Sequence, residues 1–111
     1  MDTKTETKMV NTVKISGRFD AHMVGRVQEE LESYLKQQQS RVVINLEAVK
    51  FIDTRALALL VTTMKRCRQG DGDLRLCALK QSVRIIFELT KLEKAFQIFE
   101  TEAEAVASFE A

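Results

Sequence analysis

The apolar positions of this chain switch between two spacings, and the switches mark its elements. Val10, Val13 and Ile15 outline a first strand that stops at Ser16-Gly17, with Asn11 and Thr12 interrupting the two-residue period. Gly17-Arg18-Phe19-Asp20 is predicted as a loop, with Gly17 as the break. Val24, Val27, Leu31, Tyr34 and Leu35 then recur at three- and four-residue steps, with Gln28, Glu29, Glu30 and Glu32 mostly on the other side. That is an amphipathic helix, closed by Gln37-Gln38-Gln39-Ser40. Val42, Val43, Ile44 and Leu46 form a short apolar run, as in a strand covered on both faces, with Asn45 interrupting it near its end.

A short loop is predicted next, then an abrupt turn at Phe51-Ile52-Asp53-Thr54 into a second helix. Leu57, Leu60, Val61, Met64 and Cys67 share one face of that helix; Lys65, Arg66 and Arg68 occupy its last turns, where cations suit the dipole. Gln69-Gly70-Asp71-Gly72-Asp73 is a stop and turn. Leu74, Leu76 and Ala78 alternate with Arg75 and Cys77 as a strand. Ser82 is the predicted N-cap of a third helix that turns Val83, Ile86, Phe87 and Thr90 inward. Phe96–Phe99 reads as a last short strand. Thr101 with Glu104 makes a capping box for a closing helix striped by Val106 and Phe109.

Strands and helices thus alternate throughout, the signature of an α/β fold with right-handed crossovers and a mainly parallel sheet. The N-terminal segment is expected to join as an antiparallel partner, with Met1–Lys8 a polar tail or a short edge strand. At 111 residues the chain is predicted to be a single domain.

Composition excludes several function classes. The chain is 45% apolar and 30% charged, as a folded globular protein is. With 17 basic and 16 acidic residues it has no overall field for nucleic acid or an anionic membrane. No apolar run approaches the roughly 18 residues of a membrane span. The N-terminal MDTKTETK lacks a signal-peptide core, so membrane insertion is not expected and a cytoplasmic location is. Cys67 and Cys77 read as reduced, packed thiols. His22 is the only histidine and reads as a surface or helix-start residue. The chain has no Gly-rich phosphate loop, HExxH or CxxC motif, so neither a cofactor nor a metal is implied.

The candidate chemistry lies at the start of the second helix. Asp53 and Thr54 place a short acid and a hydroxyl where free N–H groups and the positive end of the dipole favour an anion. On residue type alone, either could simply be an N-cap. Asp20 holds the same position before the first helix. Asn45 could brace the Asp53 loop or serve a turn, and the Glu29–Glu32 and Lys65–Arg68 charges read as solvated faces.

Five stretches in order carry a family resemblance: GRFD at Gly17–Asp20, VVINL at Val42–Leu46, FIDT at Phe51–Thr54, GDGDLRL at Gly70–Leu76, and FELTKL at Phe87–Leu92 followed by FQIF. Over Val10–Phe109 the chain resembles the STAS domain family, which includes the bacterial anti-sigma factor antagonists. The resemblance implies a four- to five-stranded mixed, mainly parallel sheet, with helices packed mostly on one side and the last helix at an edge. It implies a regulator and not an enzyme. In the family, the unphosphorylated protein binds an anti-sigma factor that is also a serine/threonine kinase. The kinase phosphorylates the hydroxyl residue after the loop aspartate and so ends binding, and a metal-dependent phosphatase resets the switch. By that match Thr54 is the phosphorylation site, and Phe19, Asp20, Asp53, Thr54 and Arg55 belong to the partner surface. Arg55 is a candidate to fold onto the phosphate or to reach an acidic group of the partner. The usual Asp-Ser-Ser-Gly or Asp-Ser-Thr-Gly is here Asp53-Thr54-Arg55-Ala56. The alternative is a phosphorylation-independent STAS binding subunit of a transporter or signalling assembly.

Overall fold

A computed structural model describes residues 9–110. Its strands β1 (Asn11–Phe19), β2 (Arg41–Ile52), β3 (Asp73–Cys77) and β4 (Ile98–Phe99) alternate with helices α1 (Ala21–Lys36), α2 (Thr54–Gln69), α3 (Gln81–Leu89) and α4 (Glu102–Ala107). The strands lie in chain order, β1-β2-β3-β4, and every pairing is parallel. The α/β class and the mainly parallel sheet are therefore as expected. The antiparallel partner expected of the N-terminal segment falls on residues 1–8, outside the described residues.

A parallel sheet in chain order, wound with crossovers of one hand, carries its connecting helices onto one face. The core bears this out: Val13, Ile15 and Phe19 of β1 and Val42, Ile44 and Leu46 of β2 pack with Val27 and Leu31 of α1, Leu57 and Leu60 of α2, and Val83 and Phe87 of α3. The last helix is not at an edge. It covers the opposite face, where Ala105 and the following Phe109 pack on Val43 and Cys77. Val10 joins this second cluster, which accounts for its being out of step with Val13 and Ile15.

Several boundaries differ from the sequence reading. Gly17-Arg18-Phe19 is not a loop, because β1 runs through to Phe19, with Gly17 at φ +82°. That left-handed value suits a glycine inside an irregular strand. No loop precedes the α2 turn either, since β2 continues to Ile52. Against β1 its register slips between Lys14 and Ser16 and again between Gly17 and Arg18, each time with an extra residue on β2. The Asn45 side chain accepts the Glu47 N–H at 2.8 Å beside the first slip, and its amide donates to Glu102 at 2.8 Å. Asn45 thus ties the irregular strand to α4 and does not brace the Asp53 loop.

Ser82 is not the N-cap of α3. That position is Lys80, and Ser82 Oγ donates to the Lys50 carbonyl at 3.1 Å. Thr90 is exposed and donates to the Ile86 carbonyl at 2.7 Å. Of Phe96–Phe99 only Ile98 and Phe99 are strand, and Ala78, at φ +62°, lies beyond the end of β3. Three of the charges read as solvated are paired: Arg66 of α2 bridges to Glu32 of α1, and Arg68 meets Asp73 at 2.8 Å.

Candidate functional site

β1 and β2 end side by side, with Phe19 opposite Ile52, and each strand passes straight into an aspartate that caps a helix. Asp20 Oδ1 accepts the His22 N–H at 3.1 Å and opens α1. Asp53 Oδ1 accepts the Ala56 N–H at 2.9 Å and opens α2. Parallel register therefore brings two helix N-termini together at the carboxyl ends of the strands, the usual place for recognition in such sheets.

Asp53 does more than cap its own helix. Its Oδ2 accepts the Ala21 N–H at 3.0 Å, and its backbone N–H donates to the Phe19 carbonyl at 3.2 Å. The bond from Ala56, reinforced by those from Ala21 and Arg55 and by the Arg55 charge, holds the Asp53 carboxyl below the ordinary 3.8. An ionised carboxylate that accepts several backbone N–H groups is the expected outcome.

Thr54 follows as the first residue of α2 and is exposed, as is Arg55. Asp20 and Asp53 are half-buried. Phe19 is different: its side chain is fully buried at 0% exposure, so only its backbone belongs to this surface. The burial follows from β1 continuing through Gly17, which turns Phe19 onto the core face.

Two neighbours were not picked out from the sequence. Phe51, 39% exposed, lies under the Arg18 guanidinium, 4.1 Å from its ring centroid. Arg18 also reaches Asp20, at 3.4 Å. Arg18 and Phe51 meet because they are opposite each other in the β1–β2 register, which residue spacing does not reveal. On the helix side a shallow groove runs between α1 and α2, lined by Val24, Gln28, Arg55, Ala58, Leu59 and Thr62. His22 is solvent-exposed, 3.8 Å from Asp20.

Chemically, the two strand ends carry an exposed threonine directly after one of two acidic caps, an exposed arginine next to it in sequence, and an aromatic ring covered by Arg18. Among the described residues there is no group of three or more His, Cys, Asp or Glu side chains placed to hold a metal ion. Also among them, no helix is long and apolar enough to cross a membrane. Both cysteines are buried, and burial pushes each thiol up to about 11.

The fold is that of a STAS domain, and the chain belongs to that family: the STAS domain model matches residues 3–105. Among its relatives, the anti-sigma-B factor antagonist of Staphylococcus aureus is 30% identical over 105 residues, which are 94% of this chain and 96% of that one. An anti-sigma factor antagonist from Mycobacterium paratuberculosis shares the fold at a TM-score of 0.83 and 23% identity, over 96% of this chain and 90% of that one. The Bacillus cell fate determinant SpoIIAA in its phosphorylated form superposes at 0.73 with 20% identity, over 92% of each chain.

Proposed function

We propose that this protein is an anti-sigma factor antagonist whose binding to a serine/threonine kinase-type anti-sigma factor is controlled by phosphorylation at Thr54. It acts by binding and not by catalysis. The observation that carries the reading is the placement of Thr54: an exposed, hydroxyl-bearing residue at the first position of α2, directly after the Asp53 cap. The name of the Staphylococcus aureus relative supports the function, and the phosphorylated state of SpoIIAA supports modification within this fold.

In the unmodified state the partner docks over Asp20, Asp53, Thr54 and Arg55. A phosphate on Thr54 adds about two negative charges at neutral pH. They fall beside the Asp53 carboxylate, at a helix start already compensated by that residue. Desolvating this charge in an interface is costly, and repulsion from acidic groups of the partner adds to the cost. Arg55 offers the phosphate a guanidinium from the next position. A phosphatase restores the hydroxyl and with it the binding.

The test is labelling. The chain is incubated with its partner kinase and ATP, and the modified position is mapped by mass spectrometry. Phosphate on Thr54, loss of labelling in Thr54→Ala, and loss of partner binding in Thr54→Glu are expected. A protein that stays unlabelled, with Thr54→Glu binding as tightly as wild type, overturns the switch and leaves a phosphorylation-independent binding subunit.

A further inference from the structure

We propose that Asp53 is a positioning residue that carries the charge state of Thr54 to the start of α1 through its bond to Ala21. The inference rests on the reading of Thr54 as the modified position. It adds the route by which modification reaches the neighbouring strand end.

The geometry divides the carboxylate between two helices. Oδ1 holds the Ala56 N–H of α2 at 2.9 Å, and Oδ2 holds the Ala21 N–H of α1 at 3.0 Å. The first N–H of α1 is therefore served by the cap of α2, while its own cap, Asp20, serves the next one, His22. The two strand ends are fastened once more by the Asp53 N–H on the Phe19 carbonyl.

Thr54 is covalently next to this fastener and exposed. A phosphate on its oxygen is an anion at a helix N-terminus, so it seeks the first-turn N–H groups that Asp53 now holds. It also repels the carboxylate at short range. Both effects drive Asp53 away from its present position. The bond to Ala21 yields first, because the helix it reaches keeps its own cap at Asp20 and so loses one anchor without unwinding. Asp20, with Arg18 beside it at 3.4 Å, then loses its fixed placement relative to Thr54. A charge at Thr54 thus remodels the far half of the docking surface as well as repelling the partner directly.

The experiment reads backbone amides of the full chain by 15N NMR and hydrogen exchange, in wild type, Thr54→Glu, Asp53→Ser and the double variant. Serine keeps an acceptor for the α2 cap but is too short to serve Ala21 as well. Thr54→Glu is expected to displace the Ala21 amide resonance and to speed its exchange by about 10- to 150-fold, the range for losing one hydrogen bond to a charged group. The amide of Ile44, central in β2, stays as it was. In the Asp53→Ser background the Ala21 amide already exchanges fast, and adding Thr54→Glu changes nothing further. If Asp53→Ser does not fold, Asp53→Asn replaces it, because its amide nitrogen cannot accept from Ala21. An Ala21 amide unmoved by Thr54→Glu, or moved equally without the Asp53 carboxylate, overturns the proposal. No kinase or partner enters these measurements. Their failure therefore leaves the switch standing, and failure to label Thr54 leaves this linkage standing.

Discussion

The Asp53 carboxylate accepts the backbone N–H of Ala21 at 3.0 Å, across 32 positions of chain. That bond, together with the one from Ala56, favours the charged form. The native carboxyl is accordingly held below 3.8, led by the Ala56 bond. A depressed carboxyl stabilises the fold above its unfolded value and loses that contribution as pH falls through the lower native value. Asp53→Asn is therefore expected to be less stable than wild type at neutral pH. The difference should shrink on acidification below pH 3.8. Urea unfolding at several pH values measures it; a gap between the two proteins that is constant down to acid unfolding contradicts the assignment.

At the other end of the sheet Asp73 is 5% exposed and holds Arg68 at 2.8 Å and Arg75 at 3.0 Å. Arg75 in turn stacks 4.1 Å from the Phe109 ring centroid and donates to Ser108 at 2.7 Å. Removing the shared anion leaves two guanidinium groups, one of them largely buried, without their partner. Asp73→Ala is expected to lower stability by about 3–5 kcal/mol, the range for breaking a buried pair from one side. It should also loosen the closing Ser108–Phe109 turn. Chemical denaturation and the exchange rates of the C-terminal amides test the two parts; a loss comparable to that of an exposed aspartate removes the argument.

Much of this fold was legible because period and caps report local physics. The α1 and α2 stripes, the Thr101–Glu104 capping box and the aspartates before both long helices all stand as read from the sequence. What failed depended on partners far along the chain. In β2 the inward residues after Leu46 are Val49 and Ile52, three apart and not two, because the strand bulges twice against β1. A stretch with that spacing looks like a loop. Phe19 was read as a contact residue, yet strand continuity through Gly17 sends it into the core. The second role of Asp53 and the Arg18–Phe51 stack exist only in the parallel register, which no single-chain spacing encodes.

Gly72 sits where β3 begins beside the end of α1's connection to β2. A Cβ built there would lie 2.0 Å from the Ser40 carbonyl oxygen, and the Asp73 N–H donates to that same oxygen at 2.9 Å. Backbone cannot yield as a flexible side chain does. Gly72→Ala should cost roughly 2 kcal/mol or more, as overpacking against fixed atoms does. Thermal unfolding checks it, and a variant as stable as wild type would show that the chain can open there at little expense.

Cys67 and Cys77 are both fully buried, and burial pushes each thiol up to about 11. A thiol must ionise to react, so at neutral pH the native protein should resist alkylation by iodoacetamide on a scale of hours. Both should react rapidly once the chain is unfolded in urea. Intact-mass spectrometry follows the modification, and fast labelling of either cysteine in the native state would contradict its burial.

Phe51 is an exposed aromatic ring at the end of β2, three residues before Thr54, and Arg18 covers one of its faces at 4.1 Å. Aromatic and arginine side chains are the residues that most often dominate an interface. Phe51→Ala touches neither of the two buried clusters, so stability should change by less than about 1 kcal/mol. On the proposed partner switch, affinity for the kinase-type anti-sigma factor should fall by roughly tenfold or more, and Arg18→Ala should have a smaller effect in the same direction. Titration calorimetry with the unphosphorylated protein gives both numbers. If Phe51→Ala binds as tightly as wild type while Thr54→Glu does not bind, the partner contacts the helix side of Thr54 along the α1–α2 groove and leaves the sheet side open.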